Sequence, residues 1–292
     1  MLKKLKIKMH TPVFEKEVIE ALRIQEGKKY IDCTAGEGGH MFSIAYRGGN
    51  VLGIDADEDQ ISNLELRIKS SELKSRIILK QGNFAELERI AKENKFFPVD
   101  GILVDLGLSM RQLTDSGKGF SFKNEEEILD MRLDGEGKSA SDLLMSLNKE
   151  SLFDLFARNS EELSSEVIAE SIVRFRIGRK IEKVGDLIRA IDYGLTQSTQ
   201  SERKEKVYMR IFQALRIEVN KEFENVQKLL ESSKEILVRG GRLVVITFHS
   251  REDRIVKMFA QDNKNYFTHM RLNTKSERSF ERSAHVRVLE KI

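Results

Sequence analysis

Two carboxylates, Asp55 and Asp105, each close a short apolar run, and a glycine turn, Gly36-Glu-Gly-Gly39, follows another run that ends at Asp32. Glycines in such a turn let backbone approach a ligand, and an acid about twenty residues further on is where a nucleotide ribose is held. Asp55 stands at that distance, so the pair points to a nucleoside cofactor. The alternative is a glycine-rich turn in an α/β protein with no ligand. Asp105 ends Val99-Asp-Gly-Ile-Leu-Val-Asp105, an apolar setting in which a buried charge has to be compensated. Phe84, just past a further strand, either packs on the core or stacks on an adenine.

The loop spacing separates two cofactors. Counting from Gly36, the sixth position of a dinucleotide fingerprint is Met41, too bulky for the close packing that a third glycine allows, which disfavours NAD. S-adenosylmethionine carries no phosphate, so its loop needs only backbone room and an acid for the ribose hydroxyls. Gly36, Gly38, Gly39 and Asp55 supply both. The five histidines, at positions 10, 40, 249, 269 and 285, show no metal-ligand spacing, so no metal is expected.

The elements that must position these groups read as an alternating α/β pattern. Strands are expected at Tyr30–Asp32, Asn50–Asp55, Ile77–Leu79, Val99–Asp105 and Gly240–Ile246, with an amphipathic helix over Glu58–Lys69 as a crossover. Ligands of open parallel sheets bind beyond the carboxyl ends of the strands, so Asp55, Phe84 and Asp105 should face one crevice. Leu106 to Asp134 reads as a long loop, and Ser139 to Lys206 as helices without a strand between them. A helical insertion in a mostly parallel sheet follows, because strands resume afterwards. Arg210 to Leu237 reads as one long helix, stopped by Gly240-Gly241. Its polar stripe, Gln213, Arg216 and Asn220, is either a solvated face or a cleft wall. Ser250 and Asp253 read as a capping box, and two closing strands end the chain.

Composition adds limits. In 292 residues, 50 Lys and Arg stand against 47 Asp and Glu, so a polyanion would have to meet a local patch rather than a long-range field. Three clusters qualify: Arg174, Arg176, Arg179 and Lys180; Arg203, Lys204, Lys206 and Arg210; Arg271, Lys275, Arg278, Arg282 and Arg287. Each is either solubility surface or a phosphate-binding face. The basic N-terminal stretch has no apolar segment after it, and no run approaches the ~20 residues of a membrane span, so a cytoplasmic protein is expected, with the lone Cys33 a small buried hydrophobe.

Seven motifs in order carry a resemblance: His10-x-Pro12-Val13; Asp32-x-Thr34-x-Gly36-x-Gly38-Gly39-His40; Asp100-Gly-Ile-Leu-x-Asp105-Leu-Gly-x-Ser109-x-x-Gln112-Leu113; Gly119-Phe-Ser-Phe122; Leu129-Asp-Met-Arg132; Phe212-Gln-Ala-Leu-Arg-Ile-x-Val-Asn220; and Phe248-His-Ser-x-Glu-Asp-Arg254. Almost end to end, the chain resembles the bacterial 16S rRNA cytosine-N4 methyltransferases of the RsmH or MraW type. The resemblance implies a class I S-adenosylmethionine-dependent methyltransferase fold, Rossmann-like, over residues 1–112 and 209–292. An inserted helical substrate-recognition domain would span 113–208. It implies methylation of the N4 amine of one cytidine in the decoding (P-site) region of 16S rRNA in the small ribosomal subunit, and it leaves a homodimer open. Carried over by motif, the cofactor contacts are Gly38, Gly39, His40, Asp55, Phe84, Asp105 and Gln112, with Asp105 also catalytic. The candidates for substrate RNA are Arg132, Arg216, Asn220, His249 and Arg282. Departures fall at Glu37, Lys118, Arg251 and Phe280-Glu281; Lys118 keeps a charge but cannot make the bidentate contact of an arginine. The rival readings are a non-catalytic RNA-binding protein with a vestigial pocket, and a methyltransferase of this fold acting on DNA or protein.

Overall fold

The computed structural model describes residues 12–195, 201–276, 278 and 281–292, with no side-chain description at 201–203. The basic residues near the N-terminus, His10, Phe280 and the Arg203 side chain lie outside the described residues. Seven strands form one sheet: β1 (Lys29–Asp32), β2 (Asn50–Asp55), β3 (Ile77–Gln81), β4 (Val99–Asp105), β5 (Leu237–Thr247), β6 (Phe267–Arg271) and β7 (His285–Lys291). Their order is β3-β2-β1-β4-β5-β7-β6. β1 to β5 pair in parallel, and β7 runs antiparallel to both of its neighbours. The order reverses between β1 and β4, which opens a crevice beyond their carboxyl ends. This is the class I Rossmann-like methyltransferase arrangement.

The inner strands β1, β2 and β4 and the second half of β5 are near-continuous apolar runs because both faces of the sheet are covered there, whereas the edge strands β3 and β6 are largely exposed. Successive residues alternate between two layers. Tyr30, Leu103 and Val244 join Val18 and Leu22 of α1 (Glu15–Leu22), Ile44 of α2 (Gly39–Tyr46) and Leu64 of α3 (Glu58–Lys69). Ile31, Ile102 and Val245 join Leu87 of α4 (Leu87–Glu93) on the other face. Truncating one of these fully buried side chains to alanine costs about 2–5 kcal/mol, so they fix where the strands end and hence where the acids sit.

The chain divides into two compact units, one running to Gly107 and resuming at Phe223 through Ile292, the other Leu108–Glu222. The second unit is helical: α5 (Met110–Asp115), α6 (Ala140–Ser146), α7 (Lys149–Ser160), α8 (Ser165–Phe175), α9 (Val184–Gly194) and α10 (Ser201–Val219). Its core contains Leu144, Phe156, Ile172, Leu187, Ile211 and Leu215. It is wider than the expected 113–208 at both edges. Leu108 and Leu113 pack on its core at one end, and α10 carries Ile211, Phe212 and Leu215 into it at the other.

Four local expectations are corrected. The long helix from Arg210 is two, α10 and α11 (Glu222–Ile236), broken where Lys221 takes a left-handed φ of 50°. Gly240-Gly241 does not stop a helix but lies inside β5, where the pairing with β4 shifts register. The long loop after Asp105 contains α5, capped by Ser109 and Gln112. His249, not Ser250, caps α12 (Ser250–Asp262) with Glu252. No helix among the described residues is long and apolar enough to cross a membrane.

Candidate active site

The glycine turn joins β1 to α2 and is tied to the end of β2. Asp55 Oδ2 accepts the Gly36 N–H at 2.7 Å, and Oδ1 accepts the Asp57 N–H at 2.9 Å. Asp57 in turn caps α3 by accepting the Asp59 N–H. Asp55 therefore holds the turn in shape, with both of its oxygens accepting backbone N–H groups. The glycines are needed for a reason the spacing did not disclose. Gly38 has a φ of 83°, and a Cβ there would lie 2.6 Å from Leu64 Cδ2; a Cβ on Gly39 would lie 2.5 Å from Pro12 Cγ. Both positions are closed by packing within the protein, not by room for a ligand.

Acids crowd the strand ends. Asp32 is buried, and burial pushes its carboxyl up to about 7, with the charge of Asp55 adding and N–H groups of Thr34 and Met41 opposing. Burial likewise pushes Asp55 up to about 6 against its bonds to Asp57 and Gly36. Asp105 is pushed well above the carboxylate range by burial, then by the charges of Asp32 and Glu252. Its side chain is still 24 % exposed, which moderates that shift. The Asp105 N–H donates to Thr34 Oγ1 at 2.8 Å, which fixes the end of β4 against the turn after β1.

Several polar atoms here have no hydrogen-bond partner among the described residues: Asp105 Oδ1, both ring nitrogens of His40, and Thr247 Oγ1 at the end of β5. His40 Nε2 stands 3.9 Å from Asp105 Oδ2, but burial lowers the imidazole pKa to about 4, so the ring is neutral and this is no ion pair. Each orphaned polar atom costs roughly 1–3 kcal/mol, a cost that a bound polar ligand relieves. Mutually repelling carboxyls, with Asp105 Oδ1 unpartnered among the described residues, favour a cation. S-adenosylmethionine has a sulfonium and an ammonium group, and a ribose for Asp55, so the residues present fit it.

The other expected residues are placed as follows. Phe84 opens a short 3-10 turn, half-buried against the core layer. Gln112 belongs to the helical unit, and its Oε1 accepts the Ser109 N–H at 2.9 Å, so part of its capacity closes a capping box. Arg132 grips Asp130 through Nε and one terminal nitrogen at 2.7 and 2.8 Å and donates to the Gly137 carbonyl. Arg216 forms a two-pronged pair with Glu222 at 2.7 and 3.0 Å. Asn220 accepts from Leu133 N–H and donates to the Met131 and Arg216 carbonyls. Lys118 donates to the Arg132 and Leu133 carbonyls. Motif residues expected to meet RNA thus bind their own chain. His249 stacks edge-on against Phe223, and its Nε2 lies 2.9 Å from Glu252 Oε1 without hydrogen-bond geometry. Arg282 is exposed.

In the basic clusters, Arg174 pairs with Glu170, Lys180 with Glu182, Lys204 with Asp192, Arg210 with Glu162, Arg278 with Glu281 and Arg287 with Asp253. Two acids outside the expected set, Asp32 and Glu252, complete the site. Asp32 was visible as the residue that ends β1. Glu252 is buried, and its Oε2 accepts the Phe248 N–H at 2.8 Å, which shapes the chain end beyond β5.

The sequence comparisons agree with this geometry. The MraW methylase family matches residues 7–291. A protein named ribosomal RNA small subunit methyltransferase H from Thermosipho melanesiensis is 40% identical over 88% of this chain and 87% of its own. Proteins of the same name from Fervidobacterium nodosum and Bacteroides fragilis are 40% and 39% identical over 87% and 85% of this chain, and over 86% and 79% of their own. The chain belongs to the MraW methylase family and is an S-adenosylmethionine-dependent methyltransferase.

Proposed function

We propose that this enzyme methylates the N4 amine of one cytidine in the decoding (P-site) region of 16S rRNA in the small ribosomal subunit, with Asp105 as proton acceptor. The names of the relatives support the substrate, and the unpartnered Asp105 Oδ1 at the end of β4 supports the role of the acid. When bound, S-adenosylmethionine supplies an electrophilic methyl group on sulfur. On methylation the amine would give up one proton, which Asp105 would receive.

The amine of cytosine is a weak nucleophile because its lone pair is delocalised into the ring. An acceptor on its N–H offsets the positive charge that develops as it attacks. Asp105 can do this only when ionised, and a cationic cofactor favours that form by opposing the charges of Asp32 and Glu252. His40, neutral and buried, borders Asp105 without competing for the proton. The helical unit is assigned to RNA recognition, and the target base must leave any stack to reach the crevice.

Nucleoside mass spectrometry of small-subunit rRNA tests the assignment in cells with and without the protein. N4-methylcytidine should disappear without it, return with the native chain, and stay absent with Asp105→Asn. Loss of C5-methylcytidine alone would refute the amine chemistry.

A further inference from the structure

A cavity of about 480 Å³ opens beside the start of β7, lined by residues other than the strand-end acids and the glycine turn, with Arg282 the one lining residue that the motifs had marked for RNA. That volume lies within the ~300–1,000 Å³ of small-ligand sites. Phe14 and Leu272 contribute apolar floor, Asn273 and Thr274 contribute polar wall, and Arg271 and Arg282 stand at exposed positions on it. Its one lining carboxylate, Glu281, is buried and engaged: it accepts the Phe14 and Arg278 N–H groups and pairs with the Arg278 guanidinium. Arg271 lies 2.6 Å from His285 Nδ1, and burial first, then the arginine charge, lowers the imidazole pKa. Among the described residues the cavity therefore carries a net positive charge.

Its location ties it to the reaction. His285, the first residue of β7, pairs with Thr247 at the carboxyl end of β5, so the cavity opens on the crevice side of the sheet. The segment Pro12–Phe14 lies between the two sites. Pro12 packs on Gly39 of the cofactor turn and accepts from Arg278, while Phe14 lines the cavity and donates to Glu281.

We propose that this cavity is a second nucleotide pocket, which holds an unstacked nucleotide of the RNA strand neighbouring the one methylated. An aromatic and aliphatic floor suits a base face, an amide and a hydroxyl suit base edges or a 2′-hydroxyl, and two arginines suit a phosphate. Anchoring a neighbour would splay the strand and hold the target amine in the crevice, which substitutes for contacts the internally paired Arg132 and Arg216 do not offer. The inference rests on the reading that RNA is the substrate.

The test is binding of the full-length protein to isolated small ribosomal subunits and to single-stranded 16S rRNA fragments over a salt series. Arg271→Gln with Arg282→Gln should weaken RNA binding about tenfold and reduce the slope of log Kd against log salt by roughly 0.7–1.4, as expected for one or two lost phosphate contacts. Cofactor affinity, read by calorimetry, should not move. Ser276→Leu, which narrows the cavity without altering charge, should weaken RNA binding with the slope retained. Native affinity and slope in the double variant would overturn the proposal, as would native affinity in Ser276→Leu. Binding of cytidine monophosphate as tight as that of the strand would also overturn it, since the pocket would then serve a free nucleotide. Failure of the unaltered protein to bind any RNA would instead remove the substrate reading itself.

Discussion

The carboxyl ends of β1, β4 and β5 and the helical unit treat polar side chains in opposite ways. At the strand ends, Asp105 Oδ1, the His40 ring and Thr247 Oγ1 have no partner among the described residues, and Asp32 and Asp55 are held where ionisation is costly. In the helical unit, Arg132, Arg216 and Asn220 are as prominent in the motifs, yet each is engaged by its own chain. Unmet capacity marks the place where a ligand completes the structure; satisfied capacity marks a device that shapes a scaffold. A motif alone does not separate the two.

The sharpest way to break this contrast is Asp105→Asn, which keeps the shape and removes the charge. Single-turnover methylation at saturating cofactor should fall by ~10²-fold or more. A normal rate combined with weak cofactor binding would assign Asp105 to binding alone and leave the proton acceptor elsewhere.

A second test uses pH. Asp32 and Asp55 bind their protons more tightly in the fold than in the unfolded chain, where carboxyls titrate near 3.9. The stability that they contribute is therefore complete below that value and is lost as pH rises through about 6 to 7. Asp32→Asn cannot ionise, so in the absence of cofactor its stability should gain on the native chain across this window, by at most roughly 1.4 kcal/mol per pH unit. Affinity for the cationic cofactor should rise over the same range, with proton release visible by calorimetry in buffers of different ionisation enthalpy. Parallel stability curves for the two proteins would show that Asp32 is not strained.

Asn220→Ala should act on stability alone. Asn220 bonds both sides of a turn in which buried Met131 holds a left-handed φ of 61°, so its loss should cost about 1–3 kcal/mol in denaturant unfolding. Cofactor affinity should be unchanged.

What could be read from the sequence follows the same physics. Short apolar runs announced the five parallel strands, buried on both faces in all but the edge strand β3, and terminal acids located Asp55 and Asp105, because strand periodicity and burial are local in sequence. The break between α10 and α11 was hidden, since Phe212, Leu215, Val219, Phe223, Val226 and Leu230 keep helical spacing straight through it. Only the φ of Lys221 reveals the turn. The bulge at Gly240-Gly241 looked like a helix stop because glycine serves both purposes. Partners such as Glu222 for Arg216 or Asp130 for Arg132 lie close in sequence, yet a charged residue does not announce whether its partner is a neighbour or a phosphate.

Arg132 offers the smallest effect and the finest discrimination. Its Nε and one terminal nitrogen are held by Asp130, another donates to Gly137, and both members of the pair are only partly exposed. Arg132→Gln should therefore lower stability by about 1 kcal/mol, the typical net worth of such bonds once solvent competition is counted. It should leave the salt dependence of RNA binding untouched, because a guanidinium committed to a carboxylate displaces no counterion from a phosphate. A fall of roughly 0.7 in the slope of log Kd against log salt would mean that RNA takes Arg132 away from Asp130 on binding. The helical unit would then carry latent ligand capacity behind its internal pairs, and the contrast with the strand ends would hold only for the free protein.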